Sequence, residues 1–132
     1  MSNNTNSFEP TYKTLDMEGG EFGQIQISSN VVAGIAGLAA LEVKGVYSTI
    51  GSVANEIAGK FGMRNLGKGI RAVIDGNEVV IDMNISMMYG YNIMNTCSMI
   101  QDKVKQSVEN MTGLEVSGVN VRIADVDMKS AV

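Results

Sequence analysis

The sequence contains no histidine and no tryptophan, and it has a single cysteine, Cys97, and a single proline, Pro10. Histidine is the usual general base near neutral pH and the commonest transition-metal ligand, so its absence excludes catalysis by Ser-His-Asp or Cys-His groups. A lone cysteine cannot form an internal disulfide, which agrees with a reducing compartment. These absences predict a protein that is not an enzyme and that uses no cofactor.

Long apolar runs are absent as well. No stretch approaches the roughly 20 apolar residues that span a bilayer, and the first residues carry neither the basic start nor the apolar segment of a secretory signal. Residues 1–20 are rich in Asn, Ser and Thr, which is typical of a flexible tail. We therefore expect a cytoplasmic protein with a flexible tail at 1–20 and one domain at 21–128.

The net charge of -4 argues against a protein that binds nucleic acid over its whole surface. Basic residues nevertheless cluster within twelve positions that contain no acid. We interpret the cluster as a candidate site for a membrane-anchored or acidic protein partner. A solvated loop and weak nucleic-acid binding through residues 60–71 are the alternatives. The four residues are Lys60, Arg64, Lys68 and Arg71.

The same segment spells G-x-x-x-x-G-K at 62–68, the start of a nucleotide-binding P-loop. A P-loop continues with Ser or Thr and opens a helix, whereas here Gly69 follows and a strand is predicted next. The spacing therefore does not predict nucleotide binding.

Residues 30–43 predict a helix that is apolar on nearly every side, after a short strand at 23–28. Ser28 and Ser29 are suited to capping its start. A helix without a polar face is usually enclosed by other elements, so we expect either a core helix or a contact between subunits. The candidate self-association residues are Val32, Ile35, Ala36 and Ala39.

Further along, the pattern predicts a weaker helix at 52–61, a hairpin over 70–89 that turns at Gly76 and Asn77, a helix at 91–112 and a strand at 114–126. The apolar stripe of the long helix consists of Ile93, Cys97, Ile100, Val104, Val108 and Met111. The order β-α-(α)-β-β-α-β favours an α+β two-layer sandwich, with helices on one face of a mostly antiparallel sheet and a ferredoxin-like topology.

Few side chains suggest chemistry. Cys97 lies in the apolar stripe, where a cysteine behaves as a small hydrophobic residue. Glu78 and Asp82 on one strand, with Asp125 and Asp127 on another, would approach one another if those strands were neighbours. We interpret them as solubilising residues. The many methionines leave open a module that binds a small apolar ligand of the acyl type.

Seven short motifs occur in order over about residues 21–127. They resemble the alkaline shock protein family of envelope stress response proteins in Gram-positive bacteria. One departure is Met94, where many relatives place a proline. The motifs are GxIxIS (23–28), VVxxIA (31–36), GV (45–46), NLxKG (65–69), YGxNI (89–93), ENMTGLEV (109–116) and VNVxI (119–123).

This resemblance implies a non-enzymatic cytoplasmic protein of cell-envelope homeostasis. It also implies a homo-oligomer that is held near the membrane by a separate anchor protein. It supplies no catalytic or ligand-binding residues. The expected function is therefore a self-associating scaffold or adaptor, with the acyl-binding module and the weak nucleic-acid binder as alternatives.

Overall fold

The structure is a computed structural model that describes residues 12–15, 22–49 and 69–128. Two helices and six strands follow one another along these residues. The strands are β1 (Tyr12–Leu15), β2 (Ile25–Ser28), β3 (Val46–Thr49), β4 (Ile70–Asp75), β5 (Glu78–Met88) and β6 (Glu115–Asp127); the helices are α1 (Ser29–Leu41) and α2 (Ile93–Thr112). The α+β class and the hairpin at 70–89 are confirmed.

β5 is the centre of a four-stranded sheet. β6 pairs with it along its whole length, from Glu78 opposite Glu115 to Met88 opposite Asp127. β4 pairs antiparallel with residues 78–83 of β5, and β3 pairs antiparallel with residues 85–87. Since a strand has only two edges, β3 and β4 lie end to end along the edge that β6 leaves free.

β6 runs parallel to β5 because α2 carries the chain back along the sheet before β6 begins. Here the two strands of this β-α-β unit pair directly with each other. A split β-α-β topology of the ferredoxin type places another strand between them. The sheet is thus mostly antiparallel, as expected, but its strand order differs from the ferredoxin-like one.

Residues 12–15 correct the predicted extent of the flexible tail at 1–20. They form β1, which pairs antiparallel with β2, Tyr12 opposite Ser28 and Leu15 opposite Ile25. The tail was predicted from polar composition, and composition does not reveal backbone pairing with the following strand. A strand of the described chain therefore precedes residue 21.

α1 is largely buried by the rest of the domain, and only its Val31 and Leu38 side chains, among the large apolar ones, are nearly half exposed. Ser28 caps its start by accepting the N–H of Asn30 at 3.1 Å. The predicted self-association residues Val32, Ile35, Ala36 and Ala39 are all buried in the core of the chain itself. This corrects the expectation of a subunit contact, because a second copy has no access to these four side chains. The alternative, a core helix, is what the structure shows.

α2 is capped by Asn92, which accepts the N–H of Asn95 at 2.9 Å, and ends at Gly113 in the left-handed conformation, with φ at 76°. The buried positions of the helix are Thr96, Ile100, Val104, Val108 and Thr112. They are four residues apart, so the contact follows an inclined i, i+4 ridge of the helix. The predicted stripe mixed spacings of three and four residues, so the residues at its two ends lie off this ridge and outside the core. Ile93 is 48% and Met111 72% exposed.

Candidate functional site

The two helices pack on one face of the sheet, and among the described residues neither helix covers the opposite face. On β5, Ile81, Met83 and Ile85 are buried in the core, whereas Asp82 between them is exposed. Because side chains alternate across a strand, residues in register with Asp82 share its face. We call this surface the open face. It comprises Arg71, Val73 and Asp75 of β4, Glu78, Val80, Asp82 and Asn84 of β5, and Glu115, Gly118, Asn120 and Arg122 of β6.

Polar side chains meet in two neighbouring rows of the open face. In the first row Arg71, Asp82 and Asn120 are in register across three strands, and Asn120 Nδ2 donates to Asp82 Oδ1 at 2.7 Å. In the second row Arg122 Nη1 donates to Asn84 Oδ1 at 3.4 Å. The side chain and the backbone N–H of Asn84 both donate to the carbonyl of Gly69. Arg71 and Arg122 thus stand on opposite sides of the central strand.

These rows surround a depression of about 690 Å³. Two arginines and one aspartate give its polar lining a net positive charge. The ion pairs among the described residues are Lys103–Glu42 and Lys105–Glu109, so neither arginine is in one. The depression therefore presents two guanidinium groups whose hydrogen-bonding capacity is largely unused by the described part of the chain.

The next row along the open face is apolar. Val73, Val80 and Gly118 are in register, and Val73 is 47% exposed. The row after that is acidic, with Asp75, Glu78 and Glu115 in register and all exposed. From one end to the other, the open face is basic, then apolar, then acidic.

The outer edge of β6 is a second candidate surface. The carbonyl of Val119 accepts from Gln101 Nε2 of α2 at 2.9 Å, and the N–H of Val116 donates to Glu109 Oε2 at 2.9 Å. The helix thus covers the beginning of this edge. Among the described residues no strand pairs with it. Register shifts before Gly118 and before Asp125 interrupt the ladder, and such bulges twist an edge locally.

Of the four predicted partner-binding residues, the structure places one. Arg71 lies on β4 at the rim of the depression, and Lys60, Arg64 and Lys68 lie outside the described residues, as does the predicted helix at 52–61. Arg122 and Asn120 were missed by sequence reasoning. Along β6 they alternate with Val119, Val121 and Ile123, so the sequence places them on the other face of the strand. Only the pairing of β6 with β5 puts Arg122 on the same surface as Arg71.

Within the described ranges, neither the acidic pairs nor the cysteine forms a metal-binding or reactive site. β5 and β6 are neighbours, but Glu78 pairs with Glu115 at one end of the sheet and Met88 with Asp127 at the other. No three His, Cys, Asp or Glu side chains of the described part come together as metal ligands would. Cys97 is half-buried on α2, and burial raises the pKa of its thiol, which lowers the thiolate fraction. Neither helix is long and apolar enough to span a membrane.

Comparison with known proteins gives consistent matches. The model of the alkaline shock protein 23 family, described by a cell envelope-related function, matches residues 17–128. YqhY of Bacillus subtilis is 30% identical over 85% of this chain and 83% of its own length, and YloU of the same organism is 31% identical over 80% and 90%.

Two further similarities are more distant. The stress response regulator gls24 homolog of Streptococcus pyogenes serotype M3 is 26% identical over 81% of this chain and 60% of its own length. Among solved structures, a variant of the MamM CTD superposes with a TM-score of 0.45 at 19% identity, covering 73% of this chain and 93% of that domain.

Proposed function

Because the chain belongs to the alkaline shock protein 23 family, whose function is cell envelope-related, we propose that it is a self-associating, non-enzymatic scaffold. In this proposal a second copy pairs with the outer edge of β6, and an acidic or membrane-anchored partner binds on the side of Arg71. The protein would then work in the cytoplasm, and its partner would bring it to the membrane.

The observation that supports self-association is the long outer edge of β6. The strand has 13 residues, and β5 is its single strand neighbour among the described residues. An unpaired strand edge presents backbone N–H and C=O groups to any second strand. Two identical edges that run antiparallel form a two-fold contact, the commonest symmetry of homo-oligomers.

The second half of the edge is where a second copy would pair. Val116 and Val119, whose side chains are on the helix face, direct backbone groups outward to α2. Backbone groups alternate between the two edges of a strand, so those of Val121 and Ile123 point outward as well. Gln101 and Glu109 of α2 cover the edge near residues 116–119, so within the described residues we place the contact at 121–126.

Sedimentation velocity over a concentration series tests the proposal. We expect the full chain to form dimers or larger assemblies as its concentration rises. Val121→Pro removes an outward N–H and should shift the distribution to monomer. Val121→Thr, which keeps the N–H and the β-branched shape, is the matched control and should assemble like the parent chain.

Thermal unfolding of each variant separates loss of pairing from loss of fold. If Val121→Pro does not fold, Ile123→Pro provides the same test one outward position further on. A chain that sediments only as a monomer at every concentration overturns the scaffold proposal. Assembly that both proline variants retain would mean that the contact lies elsewhere on the surface.

A further inference from the structure

We propose that the open face docks an extended peptide segment of a partner protein through an acidic side chain, whose carboxylate is held between Arg71 and Arg122. An apolar side chain of the same segment would pack on Val73, Val80 and Gly118. This inference deepens the partner-binding part of the proposed function and rests on it. It does not depend on self-association through β6.

Charge complementarity identifies the occupant. Arg71 and Arg122 flank the central strand, and no carboxylate of the described residues forms an ion pair with either. One oxygen of Asp82, which lies between them, is taken by Asn120. Guanidinium groups bind carboxylates through two parallel hydrogen bonds, so two arginines on one depression form a receptor for an acidic side chain.

The depression is open, which favours a peptide over a small metabolite. Arg71, Asp82, Asn120 and Arg122 are all exposed. Sites for small molecules usually bury most of the ligand in a largely apolar pocket. An exposed polar site gains little from one isolated ion pair, so additional contacts along the partner are needed.

Those contacts are available in the neighbouring row. Gly118 has no side chain, and among the described residues a Cβ placed there would approach only Val80, at 3.9 Å. A shallow apolar floor therefore lies beside the exposed Val73. Rows of a sheet are about 7 Å apart along the strands, the same spacing as alternate side chains of an extended peptide. An acid and an apolar residue two positions apart fit both rows at once.

The acidic row sets the orientation of the segment. Asp75, Glu78 and Glu115 lie beyond the apolar row, where they repel a second carboxylate and attract a cation. The open face therefore selects the pattern acid-x-apolar-x-base, in either chain direction. A nucleic acid fits poorly because its phosphates would meet both Asp82 and this acidic row.

Selection from a random peptide phage library on the immobilised full chain tests the inference. We expect enriched peptides to carry an Asp or Glu two positions from an apolar residue, with Lys or Arg on the far side. Selected peptides should bind the Arg71→Gln, Arg122→Gln double variant about tenfold more weakly, since both charged donors are gone. The Lys44→Gln, Lys103→Gln double variant loses the same charge outside the open face and should bind them normally.

A second variant tests the apolar row without a change of charge. Gly118→Val fills the floor with a residue that favours strands and should also weaken the selected peptides. Enriched peptides without acids, no enrichment, or full binding to both the arginine and the Gly118 variants would overturn the inference. An NMR titration gives one more outcome. If the Asn84 and Asn120 side-chain amide signals shift saturably with inorganic phosphate, and no peptides with acids are enriched, the depression binds phosphate and the inference is overturned.

The experiment distinguishes this failure from failure of the scaffold. Peptide selection by a chain that sediments as a monomer would support the docking face and reject self-association. Concentration-dependent assembly without acidic peptides would do the reverse.

Discussion

The side chain of Glu109 accepts the backbone N–H of Val116 at 2.9 Å, which joins the last turns of α2 to the start of β6. The same oxygen accepts from Lys105 Nζ at 2.9 Å. The hydrogen bond from Lys105, followed by that from Val116, lowers the pKa of the Glu109 carboxyl below its ordinary value.

Glu109 should make the stability of the fold sensitive to acid. Because its pKa is lower when folded, its contribution is present above the ordinary pKa of a glutamate and is lost as the pH falls through the lowered value. We expect Glu109→Gln to reduce the urea midpoint at neutral pH and to converge with the parent chain in acid. Glu115→Gln, which removes an exposed carboxylate near the hairpin turn, is the control. Parallel curves of urea midpoint against pH for Glu109→Gln and the parent chain would contradict the prediction.

Thr112 should be essential to the turn between α2 and β6. Its hydroxyl donates to the carbonyl of Val108 at 2.6 Å and accepts the buried N–H of Leu114 at 3.1 Å. Thr112→Val leaves that N–H without its partner, so we expect a loss of about 1–3 kcal/mol in the free energy of unfolding, measured in urea. Thr112→Ser keeps the hydroxyl and should lose much less. Equal losses for the two variants would show that packing alone accounts for the effect.

Gly45 should be sensitive to any side chain. It has a φ of 101°, and a Cβ there would lie 2.9 Å from the ring of Tyr91. We expect Gly45→Ala to lower the free energy of unfolding by about 1–3 kcal/mol, from backbone strain and this overlap together. A double-mutant cycle with Tyr91→Ala separates the two causes, because removing the ring should relieve only the overlap. No coupling between the two positions would leave backbone strain as the only cause.

Cys97 should react slowly. Its pKa is raised by burial, so the nucleophilic thiolate is scarce near neutral pH. We expect alkylation by iodoacetamide to be several-fold slower in the native chain than in the same chain unfolded in urea. Cys97→Ala should assemble in sedimentation like the parent chain. A native rate above the unfolded rate would instead indicate an activated cysteine.

The open face shows where sequence reasoning succeeded and where it stopped. Arg71 was singled out because four basic residues lie close together in the chain, which is a local signal. Arg122 stands alone among polar and apolar neighbours, 51 residues further along. Its importance depends on β6 lying beside β5. The alternation of polar and apolar residues predicts the face of the sheet on which a side chain lies, but it does not predict which strand lies beside its own.

α1 shows the opposite kind of failure. Its composition correctly indicated a helix with no polar face, and both a core position and a subunit contact were compatible with that. Val32, Ile35, Ala36 and Ala39 are buried because the sheet and α2 cover them within one chain. The local pattern determines that an apolar surface must be covered. Only the packing of distant elements determines which part of the chain, or which partner, covers it.

By itself, therefore, the sequence determined the features that depend on neighbouring residues: the turn at Gly76 and Asn77, the helix cap at Ser28, and the end of α2 at Thr112. The tertiary structure decided the parallel position of β6, the burial of α1 and the placement of Arg71 and Arg122 on one depression. The physical reason is that caps, turns and periodicity come from short-range backbone geometry. Strand order and shared surfaces come instead from long-range burial, which selects one arrangement among several that the same local pattern allows.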